Sequence, residues 1–365
     1  NGVIDSNIKN SRQPKNCREY YRNCTKKFAP KGAMTMVRDV LLVKPGETVL
    51  ITADTSSDKR VADAFAKAAY AIDAMPVIIN YPTAPCAVMD PPAPIAGAVE
   101  RADVWIELSL SYIMHTKAFQ NAIAAGVRYI CLTGMDVEML VNTVTKVNYD
   151  LMIELGEHFK EILGKANKIE VKSKNGTDLI AYHQGRKIRH SGQRATQKGY
   201  PIMLGGQTSW CPVEETINGT LVFDGALWPP AEIGKLHEPV KLTLENGVVT
   251  KIEGGAQAET FKAWLESYND ENSYRLAHYS QGFNPGVTKP TGRIVEDERV
   301  FGCMEFGIGS QGKAIMGACW DAPSHTDGIL LKPTIVLDGV VIEEDGVYKD
   351  PVAVEICKKM GIAGY

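Results

Sequence analysis

The feature that most limits how this chain can fold is a change of hydrophobic rhythm near residue 166. Before it, short apolar runs alternate with helical patterns. Thr48-Val49-Leu50-Ile51-Thr52-Ala53 is followed by a helical stretch from Arg60 to Ala74 and then by Pro76-Val77-Ile78-Ile79-Asn80-Tyr81. Val104-Trp105-Ile106-Glu107-Leu108-Ser109, a helical Lys117 to Ala125 and Val127-Arg128-Tyr129-Ile130-Cys131-Leu132 repeat the theme. Strands that are apolar on both faces and separated by helices call for a parallel sheet covered on both sides. We therefore expect an N-terminal doubly wound α/β domain over residues 1–166, closed by a long helix from Met135 to Lys165. Its first strand runs into Ala53-Asp54-Thr55-Ser56-Ser57-Asp58 rather than a Gly-x-Gly-x-x-Gly turn, which argues against dinucleotide binding.

After residue 166 the pattern becomes one of hairpins. Lys174-Asn175-Gly176-Thr177, Glu245-Asn246-Gly247-Val248 and Leu337-Asp338-Gly339-Val340 each place a type I′ turn pair between alternating apolar residues. A β-rich α+β domain is expected over residues 167–365, with one helix near Thr260 to Tyr268. A stretch of 365 residues, 44% hydrophobic and 23% charged, is enough for two such domains.

A net charge of -3 gives no reason to expect nucleic acid or an anionic membrane as partner. No 18-residue apolar run occurs and the segment to Lys27 is polar, so we expect no membrane partner and a cytoplasmic location. The eight cysteines form no Cys-x-x-Cys pair; Cys86, Cys131, Cys303 and Cys319 sit among apolar or small residues and read as buried, reduced thiols. Two of the three Asn-x-Thr sequons, at Asn175 and Asn218, are Asn-Gly turns, which argues against glycosylation. The basic stretch from Gln184 to Lys198 lacks periodicity and reads as a solvated loop, or else as a lid or subunit contact that attracts an anionic substrate.

Chemistry-bearing residues concentrate in the second half. His325-Thr326-Asp327, with His278 upstream and Glu305 between them, offers two imidazoles and one or two carboxylates to a divalent cation. We expect a bulge or turn to aim His325 and Asp327 at the same ion. Two histidines and a carboxylate with open positions form the ligand set of non-haem Fe(II) or Mn(II) sites and of hydrolytic Zn sites.

Asn246-Gly247-Val248-Val249-Thr250-Lys251-Ile252-Glu253-Gly254-Gly255, the pair Ala258-Glu259, Tyr268-Asn269-Asp270, His278 with Gly282-Phe283-Asn284-Pro285, and His325-Thr326-Asp327 together resemble the aminopeptidase T-like metalloprotein superfamily. Within it the chain is most similar to the branch of 2,5-dihydroxypyridine 5,6-dioxygenases, over about Val171 to Val340. The resemblance implies that His278, His325 and Asp327 form an iron-binding facial triad. It also implies that His115 is a first-domain histidine reaching the active site as acid, base or substrate contact. Relatives suggest a homo-oligomer. Two departures stand out. Glu305 occupies a position where those dioxygenases carry an apolar residue, and Gln207 stands where the dinuclear aminopeptidases carry a bridging glutamate, which argues for one metal and against a peptidase.

From these departures we expect a mononuclear Mn2+- or Fe2+-dependent ring-opening hydrolase, Zn2+ being a further candidate. Its substrate would be a small cyclic carbonyl compound such as a cyclic 1,3-diketone, as in a dihydrophloroglucinol cyclohydrolase. Glu305, as a metal ligand or as a carboxylate beside the metal, would take a proton from metal-bound water, and Gln207 would contact substrate. The alternative is an Fe(II) ring-cleaving dioxygenase acting on a dihydroxypyridine-like heterocycle.

Overall fold

The computed structural model describes residues 30–85, 89–110 and 113–365, the side chain of His115 excepted. Within them the first half folds as its rhythm dictates. Met75–Tyr81, Thr48–Asp54, Val104–Glu107 and Arg128–Cys131 lie side by side in that order, all parallel. Lys59–Ala71, Ala93–Val99 and Lys117–Ala124 are the crossover helices. Asp58 and Thr116 cap the first and last of these, accepting from the backbone N–H of Arg60 and Phe119. A fifth parallel strand, Pro201–Met203, pairs with Arg128–Cys131, so the sheet takes its edge from well beyond residue 166.

The helical pattern from Met135 to Lys165 is broken in two. Val137–Leu140 loosens into a π-helical turn, Val141–Thr145, and helix resumes at Tyr149–Lys165. The β-branched run Val141, Thr143, Val144, Thr145 and Val147 disfavours regular helix, and Asn148 starts the second segment by accepting from Leu151 N–H at 3.2 Å. A C-terminal helix, Pro351–Met360, was written in the sequence by Asp350 as cap, Pro351 in the first turn and Gly361 at φ 72°, but not read there.

The second half forms an eight-stranded and a seven-stranded sheet, largely antiparallel. Asn246 and Gly247 (φ 51° and 77°) and Asp338 and Gly339 (φ 49° and 86°) adopt the expected type I′ geometry. At Asn175-Gly176 only Gly176 has positive φ, and its N–H returns to Ser173 at 3.1 Å, so that turn closes one residue early. Of the cysteines, Cys131 and Cys303 are buried as expected, whereas Cys319 is exposed and Cys86 lies outside the described residues. The basic stretch is not a solvated loop: Ile188, His190, Ser191 and Ala195 are buried, and Arg189–His190 is a strand of the seven-stranded sheet. No helix among the described residues is long and apolar enough to cross a membrane.

One buried carboxyl in the parallel sheet has a measurable consequence. Glu107 is fully buried and accepts from Ser109 Oγ, Tyr129 OH (3.0 Å) and Thr133 Oγ1 (3.3 Å). Burial pushes its pKa up to about 7 and the hydrogen bonds only partly offset this. A carboxyl whose folded pKa is raised contributes its full stability below the unfolded value, and that contribution is lost as pH rises through about 7. The shift corresponds to about 3 kcal/mol. Glu107→Gln is expected to reduce the fall in urea stability between pH 5 and 8, leaving the parts that belong to the other buried carboxyls, Glu298, raised to about 7, Glu343, raised to about 8, and Glu305.

Candidate metal centre

The site is built on three neighbouring strands of the seven-stranded sheet: Leu276–Gly282, Cys303–Gln311 and Trp320–Leu331. Register sets who meets whom. His278 pairs with Gly307, which pairs with Asp327, which pairs with Trp228. His325 lies one step along, opposite Gly309. Directly paired residues share a face, as do residues two apart on one strand. His278, His325, Asp327, Glu305 and Ser280 therefore all point to one side, with Tyr279 and Phe306 packed in the core on the other.

No bulge separates His325 from Asp327, contrary to expectation: the pairing is regular from Cys303↔Leu331 to Gly309↔His325. Ordinary alternation suffices. The bulge sits next to His278 instead, between Leu276 and His278, and sets that imidazole opposite Gly307. A Cβ at Gly307 would lie 2.2 Å from His278 Nε2, so only glycine leaves room for the ring.

His278 Nε2, His325 Nε2 and Asp327 Oδ1 form a triangle with sides of 3.3, 3.4 and 3.2 Å. They are the described donor atoms that converge as a group able to hold a cation. Three atoms so spaced can each lie about 2.1 Å from one ion set just off their plane. Asp327 Oδ1 is buried without a hydrogen-bond partner, as a metal-binding oxygen would be. His325 Nδ1 lies 2.8 Å from the Ser310 carbonyl, which requires a proton on Nδ1 and leaves the Nε2 lone pair for the triangle. The His325 side chain keeps 35% of its surface exposed against 11% for His278 and Asp327, so the triangle opens on the His325 side.

Glu305 stands beside the triangle. Its Oε2 lies 3.6 Å from His278 Nδ1, the ring nitrogen turned away from the converging atoms, and it is fully buried. Gln207 Nε2 donates to it at 3.3 Å and also hydrogen-bonds Glu298, so Gln207 is spent on carboxylates. Glu298 was not foreseen. It belongs to the run Glu296-Asp297-Glu298-Arg299, which looks solvated in sequence but is buried; Arg299 donates to Glu298 at 3.0 Å and to the Leu204 carbonyl, and Asp297 accepts from Thr291 and Gly292. The flanking Val295 and Val300 were the available signal.

The electrostatics suit a cation. Burial, then Asp327 and Glu298, push the Glu305 carboxyl well above its usual range, and burial raises Glu298 to about 7. Burial also opposes charge on Asp327, but His325 and His278 outweigh it and hold its pKa low. Burial lowers His278; on His325 the same effect is overcome by Asp327, and its pKa rises. Three buried carboxyls within mutual influence are what a divalent ion would neutralise. His115 ends a short helical turn, Ile113–His115, and its side chain lies outside the described residues.

A model of the family described as 2,5-dihydroxypyridine 5,6-dioxygenase, NicX, matches residues 35–350. The chain belongs to the 2,5-dihydroxypyridine 5,6-dioxygenase family. It is 26% identical over 259 residues to the 2,5-dihydroxypyridine 5,6-dioxygenase of Pseudomonas putida KT2440, covering 66% of this chain and 69% of the relative. The structure of 2,5-dihydroxypyridine dioxygenase from the same strain superposes with a TM-score of 0.74 at 18% identity, over 91% of this chain and 99% of that one. Wild-type AmpT from Thermus thermophilus superposes with a TM-score of 0.63 at 15% identity, over 90% of this chain and all of that one (100%). The family match bears out the dioxygenase branch, and the two structures bear out the mixed fold of a parallel sheet joined to antiparallel sheets. The family match overturns the expectation of a ring-opening hydrolase. Glu305 itself is fully buried, against His278 Nδ1 and within hydrogen-bonding reach of Ser280 and Asp327.

Proposed function

We propose that the protein is a mononuclear non-haem Fe(II) dioxygenase that cleaves the ring of a dihydroxypyridine-like heterocycle. The observation that carries this reading is the triangle of His278, His325 and Asp327, presented in a chain of a dioxygenase family. Two histidines and a carboxylate leave positions open, the arrangement of non-haem Fe(II) oxygenases, which favours iron over manganese or zinc. Ferrous iron held there would supply the one-electron chemistry that lets a closed-shell ring react with dioxygen.

The chain's own residues do the rest. Ser310 fixes the His325 tautomer through Nδ1. Ser280, with Oγ 3.4 Å from His278 Nδ1, and Glu305 hold the second imidazole by its outer edge. Gln207 holds Glu305 in turn, so we read Gln207 as a positioning residue instead of a substrate contact. Trp228, opposite Asp327, gives the open side an aromatic wall for a flat ring. To His115 we assign the exchange of a proton with the ring hydroxyl. Its turn follows the strand Val104–Glu107 at the carboxyl edge of the parallel sheet, where open α/β sheets bind ligands. The unpaired thiols support a cytoplasmic location and the family resemblance a homo-oligomer.

Iron-loaded protein mixed with 2,5-dihydroxypyridine in an oxygen electrode, with the ring absorbance followed in parallel, tests the reading. Uptake of dioxygen matched to loss of the ring band is expected, with no change under argon. Ring loss under argon, or none in air across a panel of dihydroxypyridines, would sink it. Glu305→Gln is expected to weaken iron binding by about ten- to a hundredfold, as loss of a carboxylate behind a metal-binding histidine does. Metal titration checks this; unchanged affinity would remove Glu305 from any positioning role.

A further inference from the structure

Ala277 is the extra residue of the bulge beside His278. The strand Leu276–Gly282 advances two residues, from Leu276 to His278, while its neighbour advances one, from Ile308 to Gly307. Ala277 is therefore paired with neither flanking strand, although it is fully buried. A buried carbonyl outside the ladder needs a donor of its own. Gln311 supplies it, its Nε2 donating to the Ala277 carbonyl at 2.8 Å. The bulge decides where His278 points. Were pairing carried on regularly from Leu276 and Ile308, Ala277 would stand opposite Gly307 and His278 opposite Phe306, whose ring packs in the core. One extra residue turns the imidazole to the face of His325 and Asp327.

Gln311 is itself held from several sides, and only 2% of it is exposed. The same Nε2 donates to Glu214 Oε1 at 3.1 Å, and Gln311 Oε1 accepts from the Cys319 N–H at 2.7 Å, so both ends of the amide are fixed. Glu214, also buried, accepts from the Ala318 N–H at 2.8 Å and pairs with Arg186 at 2.5 Å. A Cβ at Gly317 would lie 2.4 Å from Gln311 Oε1 and 2.7 Å from Glu214 Oε1, so only glycine lets the hairpin tip close over the pair. Neither side chain belongs to the donors that converge on the ion. Their link to the site is the hydrogen bond to Ala277, one residue from His278.

We propose that Gln311, fixed by Glu214, is a positioning residue of the metal centre: its hydrogen bond to the Ala277 carbonyl holds the bulge that delivers His278 to the ion. Gln311 acts through His278 and touches neither metal nor substrate. The inference rests on the reading of the triangle as a metal site and does not need the ring-cleaving reaction. A ligand held by a regular ladder would require no such mount. Here the ladder is interrupted at the residue before the ligand, and a buried amide takes over the work of the missing strand partner.

Metal affinity measured under argon tests this, with Co(II) as a stand-in for ferrous iron whose visible absorption reports its ligands. Gln311→Met keeps the length of the side chain but cannot donate. It is expected to bind Co(II) about tenfold more weakly than the parent chain, as loss of a group that orients a ligand does. Because the loss is routed through one imidazole, Gln311→Met should change affinity by less than about twofold in a His278→Ala background, whereas the tenfold loss should persist in a His325→Ala background. A general loosening of the fold would weaken binding in all three. The Co(II) spectrum of Gln311→Met should shift toward that of His278→Ala. Should the methionine variant not fold, Gln311→Glu repeats the test, since its carboxylate still accepts from Cys319 and donates to nothing. Unchanged affinity on losing the donor, or an equal loss in the His278→Ala background, overturns the proposal; no Co(II) binding by the parent chain overturns it together with the metal reading. Dioxygen uptake is read separately. Gln311-dependent binding without uptake on any dihydroxypyridine rejects the dioxygenase reading and leaves the positioning role standing, and uptake with Gln311-independent binding does the reverse.

Discussion

Gly307→Ala is expected to cost the protein its metal while leaving the chain folded. The added methyl would begin 2.2 Å from His278 Nε2, and the imidazole has nowhere to retreat. Asp327 and His325 confront it on one edge, and Ser280 and Glu305 on the other. The ring must leave the triangle or the central strand must shift, and overpacking of this kind costs about 1–3 kcal/mol. Metal analysis of the purified variant and urea denaturation read the two consequences separately. In a His278→Ala background the same substitution should add almost nothing to the instability, because the clash is with that one ring. Full metal occupancy in Gly307→Ala would refute the account.

Asp327→Ala is expected to abolish turnover and to weaken metal affinity by about two to three orders of magnitude, since structural sites gain about 10–16 kcal/mol from four ligands, or roughly 2.5–4 kcal/mol for each. The stability of the metal-free protein should change less, because the loss of Asp327's ion pairs with His278 and His325 is set against relief of its carboxyl neighbours. Asp327, Glu305 and Glu298 are buried close enough to raise one another's cost of ionisation, so removing one relieves the others. A bound ion stabilises the native state by mass action, about 3 kcal/mol at a hundredfold excess over its dissociation constant. Thermal denaturation with and without Fe(II) under argon should show that rise in the parent chain and lose it in Asp327→Ala. A variant that still gains stability from metal would exclude Asp327 as a ligand.

What could be read from sequence divides along the range of the forces involved. The parallel sheet was legible because apolar runs such as Val49 to Ala53 report burial on both faces without knowledge of the partner strand. The pairing of His325 with Asp327 was legible from spacing, although the reason offered for it was wrong. Gly307 was invisible as a determinant: it is one of three glycines within eight residues, and only the bulge beside His278 decides which of them faces an imidazole. Arg189 was hidden for a similar reason. A basic stretch without periodicity looks solvated until a two-residue strand seats it on the edge of a sheet. Glu305 was noticed as a departure, but a sequence cannot tell which nitrogen of a neighbouring histidine a carboxylate will meet.

The return of Pro201–Met203 to the parallel sheet has a consequence for inheritance. A chain cut at residue 166 would look divisible, yet its first piece would be left with Arg128–Cys131 as a raw edge and its second would carry an orphan strand. Between the strand bearing Arg189 and that returning strand lie only ten residues, 191–200. Neither half can be exchanged with a relative's by simple recombination without also replacing this strap. The strand that carries Arg189 and the fold of the first sheet therefore travel together as one heritable unit.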